Sequence, residues 1–337
     1  MRHWQLTGFG RENLRLEEAP RPAPGPGEVL VKVAAVSLNY RDRLVIDSGM
    51  GAALPFPLTP LSDMAGTVEA LGEAASRFRP GDRVLATFFP GWIDGPAPGR
   101  ADALDGRALG GQHPGVLADY VALPEDWLVR APALLDLAQA STLPCAGLTA
   151  WFALVEQGRL RAGERVLVQG TGGVALFGLQ IAKAHGAEVF VTSGSADKLA
   201  RAKALGADHA IDRSREDWPA ATHRLTGGRG LDHILELVGG AHLARSLEAV
   251  AIGGRVSVIG VMEGFDLSGS AGPLMMKNAT VQGIRVGHRR ALEDLVRAVD
   301  ATGLKPVIDA RYRMDELPAA LDHLERGAFG KIVIELD

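Results

Sequence analysis

The sequence predicts an α/β fold in two parts, one β-rich and one a doubly wound parallel sheet. Three observations carry this. Up to about residue 122, short apolar runs alternate with Pro/Gly turns, which is the grammar of closely spaced strands. From about residue 125, strands alternate with helical patterns, which is the grammar of repeated βαβ units. At residues 166–180 one such unit carries a cluster of glycines at its strand-to-helix turn.

The elements follow in order. Residues 20–27 hold four prolines and two glycines and predict a rigid loop. Residues 28–38 predict a long apolar strand, after which Asn39-Tyr40-Arg41-Asp42 places polar groups at a strand end. Residues 67–72, 84–86 and 120–123 predict further strands, joined by turns such as Arg79-Pro80-Gly81-Asp82, and together a small barrel-like domain. The Gly-, Pro- and Asp-rich stretch 90–115 predicts a mobile surface loop.

Helices are expected at 134–142 and 147–156. Then come strand 166–168, helix 174–185, strand 188–192, helix 196–205, a short strand near 209–211, strand 232–237, helix 241–250 and strands 255–259 and 280–286. The tail predicts a helix at 292–302, an extended segment 306–309, a helix at 314–326 and a last strand at 331–336.

Composition bounds the function. The 337 residues are 47% hydrophobic and 23% charged, with a formal net charge of −4. No long basic run is present, so nucleic acid is not an expected partner. No apolar run is long enough to span a membrane. The start, Met1-Arg2-His3-Trp4-Gln5, lacks the apolar core of a signal peptide, so a cytoplasmic protein is expected. Cys145 is the single cysteine, which excludes an internal disulfide and a cysteine zinc cluster.

The glycine turn is the sharpest motif. Residues 166–168 read as a buried parallel strand, and Val174, Phe177, Ile181 and Ala184 recur at helical spacing. Gly170 and Gly172 occupy the first two positions of a dinucleotide fingerprint and Ala175 the third, where Gly or Ala allows close helix–strand packing. Such a turn brings backbone amides at a helix N-terminus against a pyrophosphate, and side chains there would block the approach. The acidic slot that selects NAD lies about 20 residues further on. Here it holds Ser193 and Ser195, with Lys198 and Arg201 on the next helix and Asp197 at a position suited to capping it. Hydroxyls and a lysine accept a 2′-phosphate that a carboxylate would repel, so NADPH is expected ahead of NADH.

Several stretches, taken together, resemble the medium-chain dehydrogenase/reductase superfamily. They are Pro26-Gly27-Glu28-Val29, Ser37-Leu38-Asn39-Tyr40-Arg41-Asp42, Arg79-Pro80-Gly81-Asp82-Arg83-Val84, Leu143-Pro144-Cys145-Ala146-Gly147, the glycine turn, Ala204-Leu205-Gly206-Ala207-Asp208 and Gly330-Lys331-Ile332-Val333. The resemblance covers essentially the whole chain. It implies a GroES-like catalytic domain, residues 1–124 with 288–337, and a Rossmann cofactor-binding domain, residues 125–287, with the active site in the cleft between them. It also implies pyrophosphate contacts at Gly172, Gly173 and Val174, cofactor proximity for the loop Phe329-Gly330-Lys331, and dimers made through an edge strand near 280–286 or 255–259. Many relatives carry a tyrosine after the third strand of the nucleotide domain. Asp212-Arg213 stands there, and Arg213 is the substitute contact.

By the same similarity, the catalytic zinc ligands of alcohol dehydrogenases fall on Asn39, Ser62-Asp63 and Cys145. Only Cys145 keeps a ligand type, and stretch 90–115 lacks the four cysteines of the structural zinc lobe, so no metal is expected. The expected branch is therefore the zinc-independent quinone oxidoreductases. The short turn Gly170-Thr171-Gly172-Gly173 departs from it and has the alcohol dehydrogenase length.

Without a Lewis acid, an already activated acceptor, a quinone or an α,β-unsaturated carbonyl, is the expected small-molecule substrate. Asn39, Tyr40 and Thr149 are the candidate donors, Ser62 and Asp63 shape the cleft, and Asp42 and Asp63 also read as structural anchors. His113 lies in the expected loop. Two alternatives stand beside this: an NAD(P)-dependent dehydrogenase of a small alcohol, and a nucleotide-binding protein with little turnover.

Overall fold

The computed structural model describes residues 1–336. By contacts the chain divides into two units, Met1–Leu148 with the segment from Gly287 onward, and Thr149–Val286.

The first unit is built on strand Glu28–Ser37, whose Val29, Val31, Val33 and Val36 lie in the core. One edge of this strand pairs along its length with Asp63–Leu71. The other edge is shared: Glu28 to Lys32 pair with Tyr120–Pro124, and Ala35 to Ser37 pair with Lys331–Glu335. Arg83–Ala86, Leu128–Arg130 and Ile308–Arg313 complete the seven-stranded sheet. An antiparallel hairpin, Arg2–Leu6 with Leu14–Glu18, adds Trp4, Leu6 and Leu14 to the same core.

Residues 125–148 were expected with the nucleotide domain and instead pack with the first unit. Leu128–Arg130 pairs with Arg83–Ala86, the amides of Ala133 and Leu134 donate to Asp300, and Ser37 Oγ donates to the Ser141 carbonyl. A second correction concerns residues 39–48. The polar strand end is a helix, Tyr40–Ser48, with Asn39 at its N-cap and Gly49 closing it in the left-handed region at φ 64°. Asp42 accepts from the Asn39 amide at 2.7 Å, so the Asn39-x-x-Asp42 spacing was its start signal. Stretch 90–115 holds only two two-residue strands, yet Trp92, Ala108 and Leu109 are buried and anchor it.

The second unit is a six-stranded parallel sheet. Its order is His209–Asp212, Glu188–Ser193, Arg165–Gln169, Leu231–Glu236, Val250–Val258, Thr280–Gly283. Numbered along the chain this is 3-2-1-4-5-6, the doubly wound order, with its switch point beside the first strand. Two helices were not expected: Trp218–Leu225, capped by Asp217, and Ala271–Met276, capped by Ser270. Only Thr280–Gly283 of the two expected dimer strands lies at an edge, since Val250–Val258 is paired on both sides. No helix among the described residues is long and apolar enough to cross a membrane.

Gly178 sets the approach of helix Gly173–Ala184 to the sheet. A β-carbon there would meet Leu235 Cδ1 at 2.7 Å and Val168 Cγ1 at 3.0 Å. Gly178→Val should therefore overpack this layer and cost roughly 1–3 kcal/mol of stability. Urea denaturation should show a lower midpoint with an unchanged slope.

Candidate active site

The residues singled out by sequence fall into two groups, one in each unit. In the second unit the glycine turn follows strand Arg165–Gln169. Gly170 sits at φ 79°, a conformation L side chains rarely adopt, and β-carbons at Gly170 and Gly172 would meet nothing within 4 Å. Gly172 is the N-cap of helix Gly173–Ala184 and no side chain caps it. The first-turn amides of Gly173 and Val174 therefore have no side-chain cap at the positive end of a helix beside two glycines with open space above them, an arrangement that fits a pyrophosphate.

Strand Glu188–Ser193 leads into the slot that discriminates the ribose. Ser193 Oγ accepts from the Ser195 amide at 3.2 Å. Ser195, not Asp197, is the N-cap of helix Ala196–Ala204, accepting from the Lys198 amide. The guanidinium of Arg213 approaches from the end of the third strand: a β-carbon on Gly194 would lie 3.8 Å from its Cζ. Two hydroxyls, Lys198 and Arg213 thus belong to one corner, a donor set that fits a phosphate monoester.

Sequence reasoning missed the buried group that orders this end of the sheet. Glu236, at the end of the fourth strand, is fully buried. Its carboxylate accepts from the amides of Val238 and Gly239, both at 3.0 Å, from Gln169 Nε2 at 2.9 Å and from Ser246 Oγ, and it contacts His242 Nδ1 at 3.0 Å. Gln169 immediately precedes Gly170 and its Oε1 accepts from the Leu237 amide at 3.0 Å. The two strand-end loops are locked together through one carboxylate. Burial opposes the charge on Glu236, but His242, Ser246 and Gln169 outweigh it and hold the pKa down, at about 2.

In the first unit a polar cluster occupies the positions aligned with zinc ligands. Continuing the antiparallel register of Lys331–Glu335 on Glu28–Ser37 places Lys331 opposite Asn39. Lys331 is 4% exposed, and its Nζ donates to the Leu38 carbonyl and to Asn39 Oδ1, each at 2.5 Å. Asp63 is fully buried and accepts from Ser62 Oγ at 2.8 Å and from the Cys145 amide at 3.0 Å. Burial raises the Asp63 pKa, and Lys331 works against that rise. Burial likewise lifts Asp42, to about 6, against the pull of Arg41. The half-buried Cys145 has its thiol pushed up by burial and by Asp63, so it is a poor thiolate ligand. With Asp63 already accepting two hydrogen bonds and an ammonium beside it, this donor set does not fit a zinc ion.

The remaining candidates are placed as follows. Tyr40 is exposed at the first position of its helix, where a strand position had been expected. Thr149 is buried in the short helix Leu148–Trp151 of the other unit. Phe329 is a core residue whose amide donates to Asp309. Lys331, expected at the cofactor, donates its ammonium to the Leu38 carbonyl and Asn39 Oδ1. His113 lines a cavity of about 140 Å³ with Phe89, Trp92 and Trp127.

Residues 173–301 match the zinc-binding dehydrogenase family and residues 25–133 the alcohol dehydrogenase GroES-like domain. A zinc-type alcohol dehydrogenase-like protein of Schizosaccharomyces pombe is 38% identical over 99% of this chain and 98% of its own. The quinone oxidoreductase of Homo sapiens is 28% identical over 97% of this chain and 95% of its own. A crystal structure of a Sinorhizobium meliloti protein named as an alcohol dehydrogenase superposes with a TM-score of 0.97 at 63% identity, covering 99% of this chain and 98% of that one.

The charged state of Glu236 ties pH to stability. Its folded pKa lies below the ordinary 4.5, so its contribution is complete above about pH 4.5 and is lost as pH falls toward about 2. Glu236→Gln should be less stable than the parent by on the order of 3 kcal/mol at pH 7, with the gap closing toward pH 2. Urea midpoints of both proteins across that range measure it.

Proposed function

Because the chain belongs to the medium-chain dehydrogenase/reductase superfamily, we propose that it is an NADPH-dependent oxidoreductase working without zinc, which reduces a quinone or an α,β-unsaturated carbonyl. The observation that carries this reading is the ammonium of Lys331 among Asn39, Asp63 and Cys145, where an added dication would meet a resident positive charge. Its GroES-like unit supplies the acceptor site and its Rossmann unit the nucleotide site.

A bound reduced nicotinamide would supply the hydride. The amides of Gly172, Gly173 and Val174 hold the pyrophosphate, and Ser193, Ser195, Lys198 and Arg213 take the 2′-phosphate. In an enone the hydride would add to the β-carbon, the alkene pair would form the double bond between the α-carbon and the carbonyl carbon, the carbonyl π pair would move onto oxygen, and a proton from water would then add at the α-carbon and restore the carbonyl. The protein's task is to steady that oxygen as its charge grows. Asn39 is the donor in the first unit, where the exposed Tyr40 is a further polar group, and the buried Thr149 is the candidate donor of the second unit. Phe329, buried just before the last strand, is a further residue of the cofactor side. The chain pairs as a homodimer through the edge strand Thr280–Gly283, and the preceding residues 265–276 expose the apolar side chains of Phe265, Leu267, Met275 and Met276.

A second reading, an NAD(P)-dependent dehydrogenase of a small alcohol, is favoured by the short glycine turn and by the name of the S. meliloti relative. Protein purified without chelators should contain no stoichiometric zinc and should oxidise NADPH with quinones or enones. One zinc per chain together with turnover of small alcohols would reverse the choice. Tight NADPH binding without turnover of any acceptor would make the chain a nucleotide-binding protein. Lys198→Ala/Arg213→Ala should raise KM for NADPH at least roughly tenfold and leave KM for NADH within about twofold, as expected for lost charge-assisted bonds to a phosphate.

A further inference from the structure

We propose that the cavity at His113 is a binding site for a single neutral aromatic ring bearing a hydroxyl group, a phenol, whose O–H donates to the His113 imidazole. The cavity lies wholly in the first unit and shares no lining residue with the cluster of Asn39, Asp63, Cys145 and Lys331. The inference does not depend on the reductase reading.

Size and walls select a ring. The cavity holds about 140 Å³, close to the roughly 150 Å³ of an apolar cavity that takes up benzene. Phe89, Trp92 and Trp127 supply aromatic surface, against which a further ring packs edge-on or offset. These walls are set before a ligand arrives. Trp92 Nε1 donates to the Gly95 carbonyl at 2.9 Å, and the Trp92 carbonyl accepts from the Arg289 amide at 2.9 Å. The Trp127 carbonyl accepts from the Thr87 amide at 2.8 Å and from Thr87 Oγ1 at 3.1 Å. A site held in this way loses little entropy when it is filled.

The polar groups select the substituent. His113 packs on Trp127 with ring centroids 4.9 Å apart, and among the described residues its imidazole makes no hydrogen bond. Burial and the nearby Arg107 guanidinium lower its pKa against the pull of Asp105. The ring is therefore neutral at pH 7 and keeps one nitrogen as an acceptor. Asp105 and Arg107 form a forked pair on the same cavity, Nε to Oδ1 at 3.1 Å and Nη2 to Oδ2 at 2.9 Å. An anion would meet the carboxylate and a cation the guanidinium, so a ligand of either charge is opposed. A phenol, with a pKa of about 10, stays neutral and brings the one donor that His113 lacks.

The test titrates phenol, and toluene as its match without the hydroxyl, into the parent, His113→Leu and Gly91→Leu by isothermal calorimetry. Gly91 lines the cavity, a β-carbon there would meet nothing within 4 Å, and its φ lies outside the left-handed region, so a leucine can enter and fill the space. The parent should bind one phenol per chain roughly tenfold tighter than toluene, the worth of one hydrogen bond. His113→Leu should bring phenol to the affinity of toluene. Gly91→Leu should abolish binding of both while keeping the parent's melting temperature. Equal affinities of the parent for phenol and toluene would overturn the role of His113, and this comparison needs no variant to fold. Phenol binding left intact by a folded Gly91→Leu would put the ring elsewhere and sink the site. So would a parent that shows no saturable phenol binding at millimolar concentrations.

Discussion

Buried backbone N–H and C=O groups must find partners, and strand Glu28–Ser37 meets that demand with segments from three distant parts of the chain. The pairing does more than close a sheet. Once Val333 lies opposite Ser37, Lys331 has no choice but to face Asn39. The Leu38 amide is bound by the Ile332 carbonyl at 3.0 Å, which carries the register beyond the last regular pair. The chemistry of the first unit is thus a consequence of strand register. A slip of one residue would turn the lysine to the opposite face.

The two units bury carboxylates in opposite ways. Glu236 is surrounded by neutral donors and a histidine, which more than repay its lost hydration, and it stays charged. Asp42 and Asp63 sit together in a drier pocket, and burial raises both. The first arrangement locks the loops beside the glycine turn and needs no titration. The second leaves a lysine, an asparagine and two reluctant carboxylates in balance, which is the condition under which small changes in charge move protons and hydrogen bonds.

Most of the nucleotide-binding unit was legible in the sequence because its signals are local. A β-branched run, a glycine turn and a period of 3.6 occupy adjacent residues, so strand Arg165–Gln169 and helix Gly173–Ala184 could be read directly. Helix Tyr40–Ser48 was hidden because its arginines and aspartates blur any apolar stripe, leaving only its caps as signals. Residues 125–148 were drawn to the wrong unit by helical pattern alone, since pattern does not say what a helix packs against. The Lys331–Asn39 contact spans nearly the whole chain, and Gly330-Lys331 reads by motif as a cofactor loop. Gly178 was masked by attention to the third fingerprint position at Ala175, although a glycine in the middle of an apolar helix is itself a sign of close packing.

The division of the first unit into two separate segments has a consequence for how the protein is made. Synthesis delivers Asn39 early and Lys331 some 290 residues later. At typical elongation rates of about 5–20 residues per second, the interval is tens of seconds. Every residue of the parallel sheet of Thr149–Val286 has been added to the growing chain before strand Lys331–Glu335 exists. During that interval strand Glu28–Ser37 has half of one edge open and Asp63 has no lysine. The polar cluster therefore cannot be completed until after the whole of Thr149–Val286 has been synthesised. A nascent chain can hold a finished nucleotide fold while its other site is still a set of unbalanced charges.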